Sequence, residues 1–180
     1  MIFSSCTSEE TEEKEEEIDY EEEYYEFQEF SFKNYDIPAV IALPDETANI
    51  GASTKPEVLH VESFKWEVNV GKNFSLHLED FGNDKNLVKT KKKELERQEV
   101  FKITYLVDED DLIMYEQVLD VKGSSQAVST VGVEHKSYHA YGEKKIDGIN
   151  YALYSRQEGF EKPYIEFITK SIRSFRAIKD

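Results

Sequence analysis

The sequence predicts an α+β fold for residues 30–180: an antiparallel β-sheet with an N-terminal hairpin, one middle helix and a C-terminal helix packed on the sheet. Three observations lead to this prediction. Apolar and polar residues alternate through most of these residues, which is typical of half-buried strands. A charged middle segment carries a narrow apolar stripe at helical spacing, and the C-terminal end carries a wide one. Polar turns join most of the strands, which favours antiparallel pairing.

The first strands lie before the middle helix. Residues 37–43 form a short apolar run and predict a first strand, whereas residues 45–56 are rich in turn residues and predict a loop. Alternation through residues 64–70 and 74–78, on either side of residues 71–73, predicts a hairpin with a three-residue loop. Its apolar positions share one face, which is therefore expected to line the core.

A charged segment predicts the middle helix. Asp84 is expected to cap its N-terminus, because an aspartate side chain accepts hydrogen bonds from the first free amides of a helix. Leu87, Val88 and Leu95 mark the buried stripe, and the helix is expected to end near residue 98.

Four further strands are predicted between the two helices. They form one hairpin with an acidic turn and a second hairpin with a longer connection. The first comprises residues 103–107 and 113–119 around the turn 108–111, a polar turn follows at residues 123–126, and the second comprises residues 131–141 and 149–156, joined by residues 142–148.

The C-terminal helix has the clearest pattern. Pro163 suits its first turn, because the amide hydrogen that proline lacks would be unpaired there. Four apolar residues at helical spacing form the stripe: Ile165, Ile168, Ile172 and Phe175. The stripe is expected to lie against the sheet face formed by Trp66, Val68, Leu76 and Leu78. Thr169 is expected to point to solvent.

The only cysteine, Cys6, lies close to Met1. Residues 2–6 read Ile-Phe-Ser-Ser-Cys and resemble the box that ends the signal peptide of bacterial lipoproteins. The glutamates that follow resemble the acidic stretch of surface-exposed lipoproteins. This resemblance implies a lipid on Cys6. A complete signal has a basic and an apolar segment before the box, so the sequence predicts a truncated signal peptide. A free cysteine in a cytosolic tail is the alternative.

Residues 1–29 are expected to be an acidic, disordered tether, and residues 30–180 a single globular domain. Residues 1–29 hold 13 of the 38 acidic residues and one of the 22 basic ones, so −12 of the net charge of −16 belongs to them. Like charges at helical spacing oppose a helix and keep such a segment extended. The aromatic residues at its end are interpreted as the start of docking on the domain, with an adhesive peptide for a partner as the alternative. They are Tyr20, Tyr24, Tyr25 and Phe27.

The order of elements carries a second resemblance. Strands, a helix, antiparallel strands and a closing helix over residues 37–175 are similar to the PsbP-like fold. Members of that fold include envelope lipoproteins and a thylakoid-lumen subunit of photosystem II. The resemblance implies a non-catalytic accessory or binding domain, and it carries over no site residue.

The charge of the chain excludes two classes of partner. A net charge of −16 opposes contact with nucleic acid phosphates and with anionic lipid headgroups. The basic cluster Lys89, Lys91, Lys92 and Lys93 lies beside glutamates in the predicted helix and is interpreted as a solvated helix face. No apolar run is long enough to predict a membrane span.

Candidate catalytic and metal-binding residues are few. One cysteine excludes an internal disulfide and a thiolate metal cluster. His135 and His139 have the spacing of a helical zinc pair, but in a strand they lie about 13 Å apart, so no shared ion is expected. The acidic turn at residues 108–111 lacks the spacing of a calcium loop. Without a nucleophile motif or a glycine-rich phosphate loop, we expect no enzyme, metal or cofactor, and a small hydrolase remains a minor alternative.

Four tyrosines of the last predicted hairpin form a candidate partner surface: Tyr138, Tyr141, Tyr151 and Tyr154. By alternation, Tyr138 and Tyr141 face opposite sides of the sheet, as do Tyr151 and Tyr154. One set is therefore expected to lie outward or under the tail. Exposed tyrosine is common at interfaces, although it also covers sheet edges.

These patterns predict a lipid-anchored protein of the cell envelope, in the outer membrane or at the cell surface. Its non-catalytic domain is expected to bind an unknown envelope protein or glycan, and the lipid on Cys6 is expected to bind the membrane. The alternative is a cytoplasmic acidic inhibitor or immunity-type protein, which would use its charge to occupy a basic target.

Overall fold

The computed structural model describes residues 24–51, 55–119 and 136–179. Ten strands and two α-helices lie in these residues, with short 3₁₀ turns at Lys33–Tyr35 and Glu46–Ala48. In chain order the elements are β1 (Phe27–Ser31), β2 (Ala39–Pro44), β3 (Glu57–Glu62), β4 (Lys65–Val70), β5 (Phe74–Asp80), α1 (Leu87–Glu96), β6 (Phe101–Asp108), β7 (Leu112–Leu119), β8 (Lys136–Ile146), β9 (Ile149–Ser155), α2 (Lys162–Ser174) and β10 (Arg176–Ala177). The predicted α+β class is confirmed.

Two antiparallel sheets organise the strands. The small sheet has the order β1-β2-β10, and the large sheet has the order β3-β4-β5-β9-β8-β7-β6. The predicted hairpins β4–β5 and β6–β7 and the last hairpin β8–β9 are adjacent pairs of the large sheet. Because β5 pairs with β9, the last hairpin lies in the middle of that sheet.

Helix α2 packs on one face of the large sheet. Its predicted apolar stripe is buried in the main core together with Val68, Leu76 and Leu78, as expected, whereas Trp66 is only partly buried at the edge of that core. The small sheet adds Ile41 and Leu43 to the same core. The stripe and the sheet face predicted from the sequence therefore meet.

Gly142 lies directly under α2. A Cβ atom at this position would be 2.3 Å from Ile172 Cγ2, so glycine allows the helix to approach the sheet. The predicted connection at residues 142–148 is wrong, because β8 continues to Ile146 and only Asp147 and Gly148 form the turn. A glycine that signals a turn in the sequence here marks close packing.

The prediction that Thr169 points to solvent is also wrong. Thr169 is buried, and its Oγ1 donates a hydrogen bond of 2.7 Å to Ile165 O. The reason is that Thr169 lies beside the buried Ile165 and Ile172 on the helix surface, four residues after the first and three before the second. A separate side of α2 lies along β2. There Ala42 N donates to Ser174 Oγ over 2.8 Å, at the edge of β2 that β1 does not pair. The buried side of α2 is therefore wider than its apolar stripe.

Helix α1 packs on the opposite face of the large sheet. Val88 and Leu95 form a second core with Ile113 and Tyr115 of β7. The predicted cap at Asp84 is wrong, because Asn86 precedes the helix and no side chain of the N-cap residue makes a capping bond.

Glu143 of β8 satisfies the amides at the start of α1 instead. Its carboxylate accepts hydrogen bonds from the backbone N–H of Asn86 (3.1 Å), Leu87 (2.7 Å) and Val88 (3.4 Å). A negative charge at this end of a helix is also favoured by the helix dipole. The helix is thus held on the sheet by a distant residue.

The first described residues of the chain contact the domain at α2. Tyr24 is buried, its hydroxyl donates to Lys170 O, and the Phe27 ring lies 5.6 Å from the Phe167 ring. This contact agrees with the docking interpretation for Tyr24 and Phe27, whereas Tyr25 is exposed and Tyr20 lies outside the described residues. The predicted boundary at residue 29 falls inside β1, so regular structure is present on both sides of it.

Candidate functional site

A cleft of about 630 Å³ lies between α1 and the large sheet, on the face opposite α2. We call it the tyrosine cleft. Its floor is formed by side chains of β7, β8 and β9, its wall by α1, and its two ends by Phe101 and by Glu79 with Phe81. Three of its floor residues are Tyr115, Tyr141 and Tyr154.

Two rows of stacked rings form the floor. In the first row, the Tyr154 ring lies between His77 (centroids 5.2 Å apart) and Tyr141 (5.7 Å). In the second row, the His139 ring stacks on Tyr115 at 5.0 Å with an interplanar angle of 10°. These neighbours are paired across the strands, so the sheet register itself aligns the rings.

Charged side chains in and beside the cleft are paired. Tyr154 Oη donates to Glu79 Oε2 over 2.7 Å. On the wall, Lys91 Nζ lies 3.4 Å from Glu94 Oε2 and 5.9 Å from the centre of the Tyr141 ring.

The opposite rim carries a second set of polar contacts. Arg156 Nη2 lies 3.8 Å from a Glu67 carboxylate oxygen and 3.5 Å from Asn69 Oδ1. Glu67 also accepts a hydrogen bond from Ser75 Oγ over 2.9 Å. This rim lies on β4 and β5, so the polar surface of the sheet continues beyond the cleft.

Burial makes the cleft phenols weaker acids than a free tyrosine. It raises the pKa of Tyr115, Tyr141 and Tyr154 above the usual value, and the carboxylate of Glu79 raises the pKa of Tyr154 and Tyr141 further. At neutral pH each hydroxyl therefore remains both a hydrogen-bond donor and an acceptor.

His139 and Ser137 form the only feature of the cleft region, among the described residues, that resembles catalytic machinery. Ser137 Oγ lies 2.9 Å from His139 Nε2. Burial, together with a smaller effect of the nearby Lys91 ammonium, lowers the pKa of His139 to about 4. Such an imidazole is a weak general base, because a base is effective when its pKa is near the working pH. A Cβ at Gly159 would be 2.6 Å from Nε2, so the ring is also tightly enclosed.

The four tyrosines singled out in the sequence do not form one surface. Tyr141 and Tyr154 lie together in the cleft. Tyr151 is only 2% exposed and packs against Phe175 under α2, and Tyr138 is half-buried on that same side, beside Phe160 and Lys136. The predicted alternation of faces is confirmed, and it divides the group into two pairs.

Other candidate sites have simpler outcomes. Cys6 and His135 lie outside the described residues. The acidic turn after β6 is neutralised by cations: Asp108 pairs with Lys92 at 2.5 Å, Glu109 with Arg173 at 2.5 Å, and Asp111 with Lys144 at 2.7 Å. In the part of the chain that the structure describes, no three His, Cys, Asp or Glu residues are grouped to hold a metal ion.

Sequence reasoning missed most of the cleft. The sequence places Tyr115, His139 and Arg156 in predicted strands but gives none of them a partner, and nothing in it singles out Glu79. Alternation does place Tyr115, His139 and Tyr141 on one face once the strand order is known. The missing information was the β5–β9 pairing, which joins segments about 75 residues apart in the chain.

Comparisons with known proteins leave the family open. The chain matches no protein-family model, and no curated protein is significantly similar to it in sequence. Among the described residues, neither helix has the length and apolar character that crossing a membrane would require.

Proposed function

We propose that this protein is a lipid-anchored lipoprotein of the cell envelope, and that its domain binds a ligand in the tyrosine cleft without transforming it. The single observation that carries the binding function is the cleft itself. Its volume of about 630 Å³ is in the range of small-molecule binding sites, and its polar groups converge on an aromatic floor.

The proposal assigns different roles to the two halves of the chain. Cys6, followed by an acidic segment, would anchor the protein. Two or more acyl chains on one residue suffice for stable anchoring, because each buried methylene contributes about 0.8 kcal/mol. The folded domain would then act as the receptor.

Binding is favoured over catalysis by the state of His139. With a pKa of about 4, it is a poor base for Ser137 at neutral pH, and its ring is stacked and enclosed rather than open to a substrate. The contact between Ser137 and His139 is better explained as a buried hydrogen bond that fixes the position of the His139 ring in the floor of the cleft.

Detergent partitioning tests the anchor. The full chain is expressed behind a complete lipoprotein signal peptide, beside the Cys6→Ala variant. We expect the parent protein in the detergent phase and the variant in the aqueous phase. Equal partitioning of both into the aqueous phase would contradict the anchor and would favour the cytoplasmic acidic inhibitor.

A further inference from the structure

We infer that the ligand of the tyrosine cleft is a neutral oligosaccharide. This inference rests on the proposed function and specifies its ligand. Three properties of the cleft carry it: balanced charge, a dense set of groups that both donate and accept hydrogen bonds, and an open end that continues along the sheet.

The first property is charge balance. The cleft is lined by two carboxylates, Glu79 and Glu94, and two cations, Lys91 and Arg156. Lys91 is paired with Glu94, Arg156 with Glu67 outside the cleft, and Glu79 accepts from Tyr154. A phosphate or sulfate ligand would need a surplus of cations, which this arrangement does not supply. A neutral ligand leaves every pair intact.

The second property is the type of polar group. Sugar hydroxyls both donate and accept hydrogen bonds, so they match groups with the same dual character. The phenols of Tyr115 and Tyr141 have it, and so do the amides of Gln117 and Gln157, which also line the cleft. The Tyr154 hydroxyl, which donates to Glu79, can still accept a hydrogen bond. Phe81 and Phe101 at the two ends offer apolar surface for the C–H faces of sugar rings.

The third property is the open end. Past Tyr154 the same face of the sheet carries His77, Glu67 and Lys65, all partly exposed, and Lys65 Nζ lies 5.6 Å from the Tyr154 ring centre. A linear chain can therefore continue from the cleft across β5 and β4. An extended peptide is less suited, because strand addition needs a free sheet edge and the cleft floor is the centre of a sheet.

An NMR titration of the ¹⁵N-labelled full chain tests the inference. The neutral probes are maltohexaose, cellohexaose, xylohexaose and chitohexaose; a heparin hexasaccharide and a mixed-sequence decapeptide represent the other classes. We expect at least one neutral probe to shift backbone amides at Gln117, Ala140 and Arg156 and to leave those of α2 unshifted.

Variants identify the residues responsible. Tyr141→Ala and Tyr154→Ala should each weaken binding of the active probe at least tenfold, and Tyr154→Phe should weaken it less. Tyr35→Ala, in the 3₁₀ turn between β1 and β2, is the matched control and should bind as the parent protein does. Since a cleft tyrosine also packs on its neighbours, Arg156→Ala serves as a second variant at the half-exposed rim, and spectral dispersion reports folding.

Each outcome decides between the two proposals. Cleft shifts caused only by heparin or only by the peptide would overturn the oligosaccharide inference and keep the cleft as a binding site. If no probe of any class shifts the cleft amides, both the inference and the binding role of the cleft are overturned. Neutral-probe shifts that survive in Tyr141→Ala, Tyr154→Ala and Arg156→Ala would place the sugar elsewhere and also overturn the inference.

Discussion

Single residues control how closely the layers of this protein approach each other. Gly142 and Gly159 each leave out a side chain where another group occupies the space: Ile172 in the first case and the His139 ring in the second. Both sites are sensitive to the addition of one methyl group, because protein interiors are packed as densely as organic crystals.

Gly142→Ala is expected to destabilise the domain by roughly 1–3 kcal/mol, since the new Cβ would crowd Ile172 Cγ2. Urea titration measures the change. Ile172→Ala removes the crowded atom, so in the double variant the Gly142→Ala step should cost much less. Strict additivity of the two substitutions would contradict the close contact.

The buried imidazole of His139 makes stability depend on pH. Burial lowers its folded pKa to about 4 from about 6.5, so between these values the unfolded chain binds more protons than the folded one. The contribution of the neutral His139 ring to the stability of the fold is therefore fully present above about pH 7, and it is lost as the pH falls towards 4. Between pH 8 and pH 5, His139 should account for a loss of roughly 2 kcal/mol.

Comparison with His139→Gln isolates this contribution from that of other groups. Denaturation curves of both proteins are measured from pH 8 to pH 5. The difference in unfolding free energy between parent and variant should narrow as the pH falls. Parallel pH profiles would mean that the imidazole is not protected from protonation.

At the scale of elements, each helix depends on a contact with a strand that is distant in sequence. The carboxylate of Glu143 accepts hydrogen bonds from the amides at the start of α1, and α2 lies along the edge of β2. Local sequence patterns show neither contact, and for that reason they predict Asp84 rather than Glu143 as the cap of α1.

Glu143→Ala is expected to destabilise the protein by about 1–2 kcal/mol, because three amides at the start of α1 lose their acceptor. Glu143→Gln should cost less, since an amide oxygen still accepts. Asp84→Ala is the matched control and should change stability by less than about 0.5 kcal/mol. Thermal melts of the variants provide the measurement. A larger loss of stability for Asp84→Ala than for Glu143→Ala would mean that Asp84 caps α1.

Three substitutions in α2 should lower the stability of the protein by different amounts, according to how deeply each side chain is buried. Ile168→Ala should cost roughly 2–5 kcal/mol, because it removes a side chain that is 2% exposed and leaves a cavity. Thr169→Ala should cost about 1 kcal/mol, through its buried methyl group and its bond to Ile165 O. The exposed Glu166→Ala should change little. Equal urea midpoints for Thr169→Ala and Glu166→Ala would contradict the burial of Thr169 and its hydrogen bond.

Much of the element order was predictable, and the failures share one cause. Alternation located β4 to β9 because one face of each strand is buried, and it assigned Tyr138 and Tyr141 to opposite faces. It missed β3, where Leu59 and Val61 are exposed at the edge of the large sheet, and it missed β1 within an acidic segment. The tyrosine cleft depends on pairings between distant strands, so its aromatic residues were recognised only in part.

At the scale of the whole molecule, the large sheet separates two sides with different contents. One side holds α2, the small sheet and the first described residues of the chain, and the other holds α1 and the tyrosine cleft. The stability of the domain should therefore depend on where an N-terminal deletion ends.

Deleting residues 1–23 is expected to leave the thermal midpoint almost unchanged, because an acidic run of this kind buries little apolar area. Deleting residues 1–31 should lower the midpoint by roughly 10 °C or more, since it also removes β1 and the buried Tyr24. Calorimetry of both truncated proteins provides the measurement. A drop of more than a few degrees for the shorter deletion would show that residues 1–23 pack on the domain.

The first described residues contact α2, and this determines where a membrane tether would be attached relative to the cleft. Tyr24 lies on the far side of the sheet from the cleft. In the proposed anchored form, residues 7–23 link the lipid to this point and span at most about 60 Å when fully extended. The tether then joins the domain on the side that bears α2, and the cleft lies on the side away from this attachment point. A long polymer could therefore enter the cleft without crossing the point where the chain is attached.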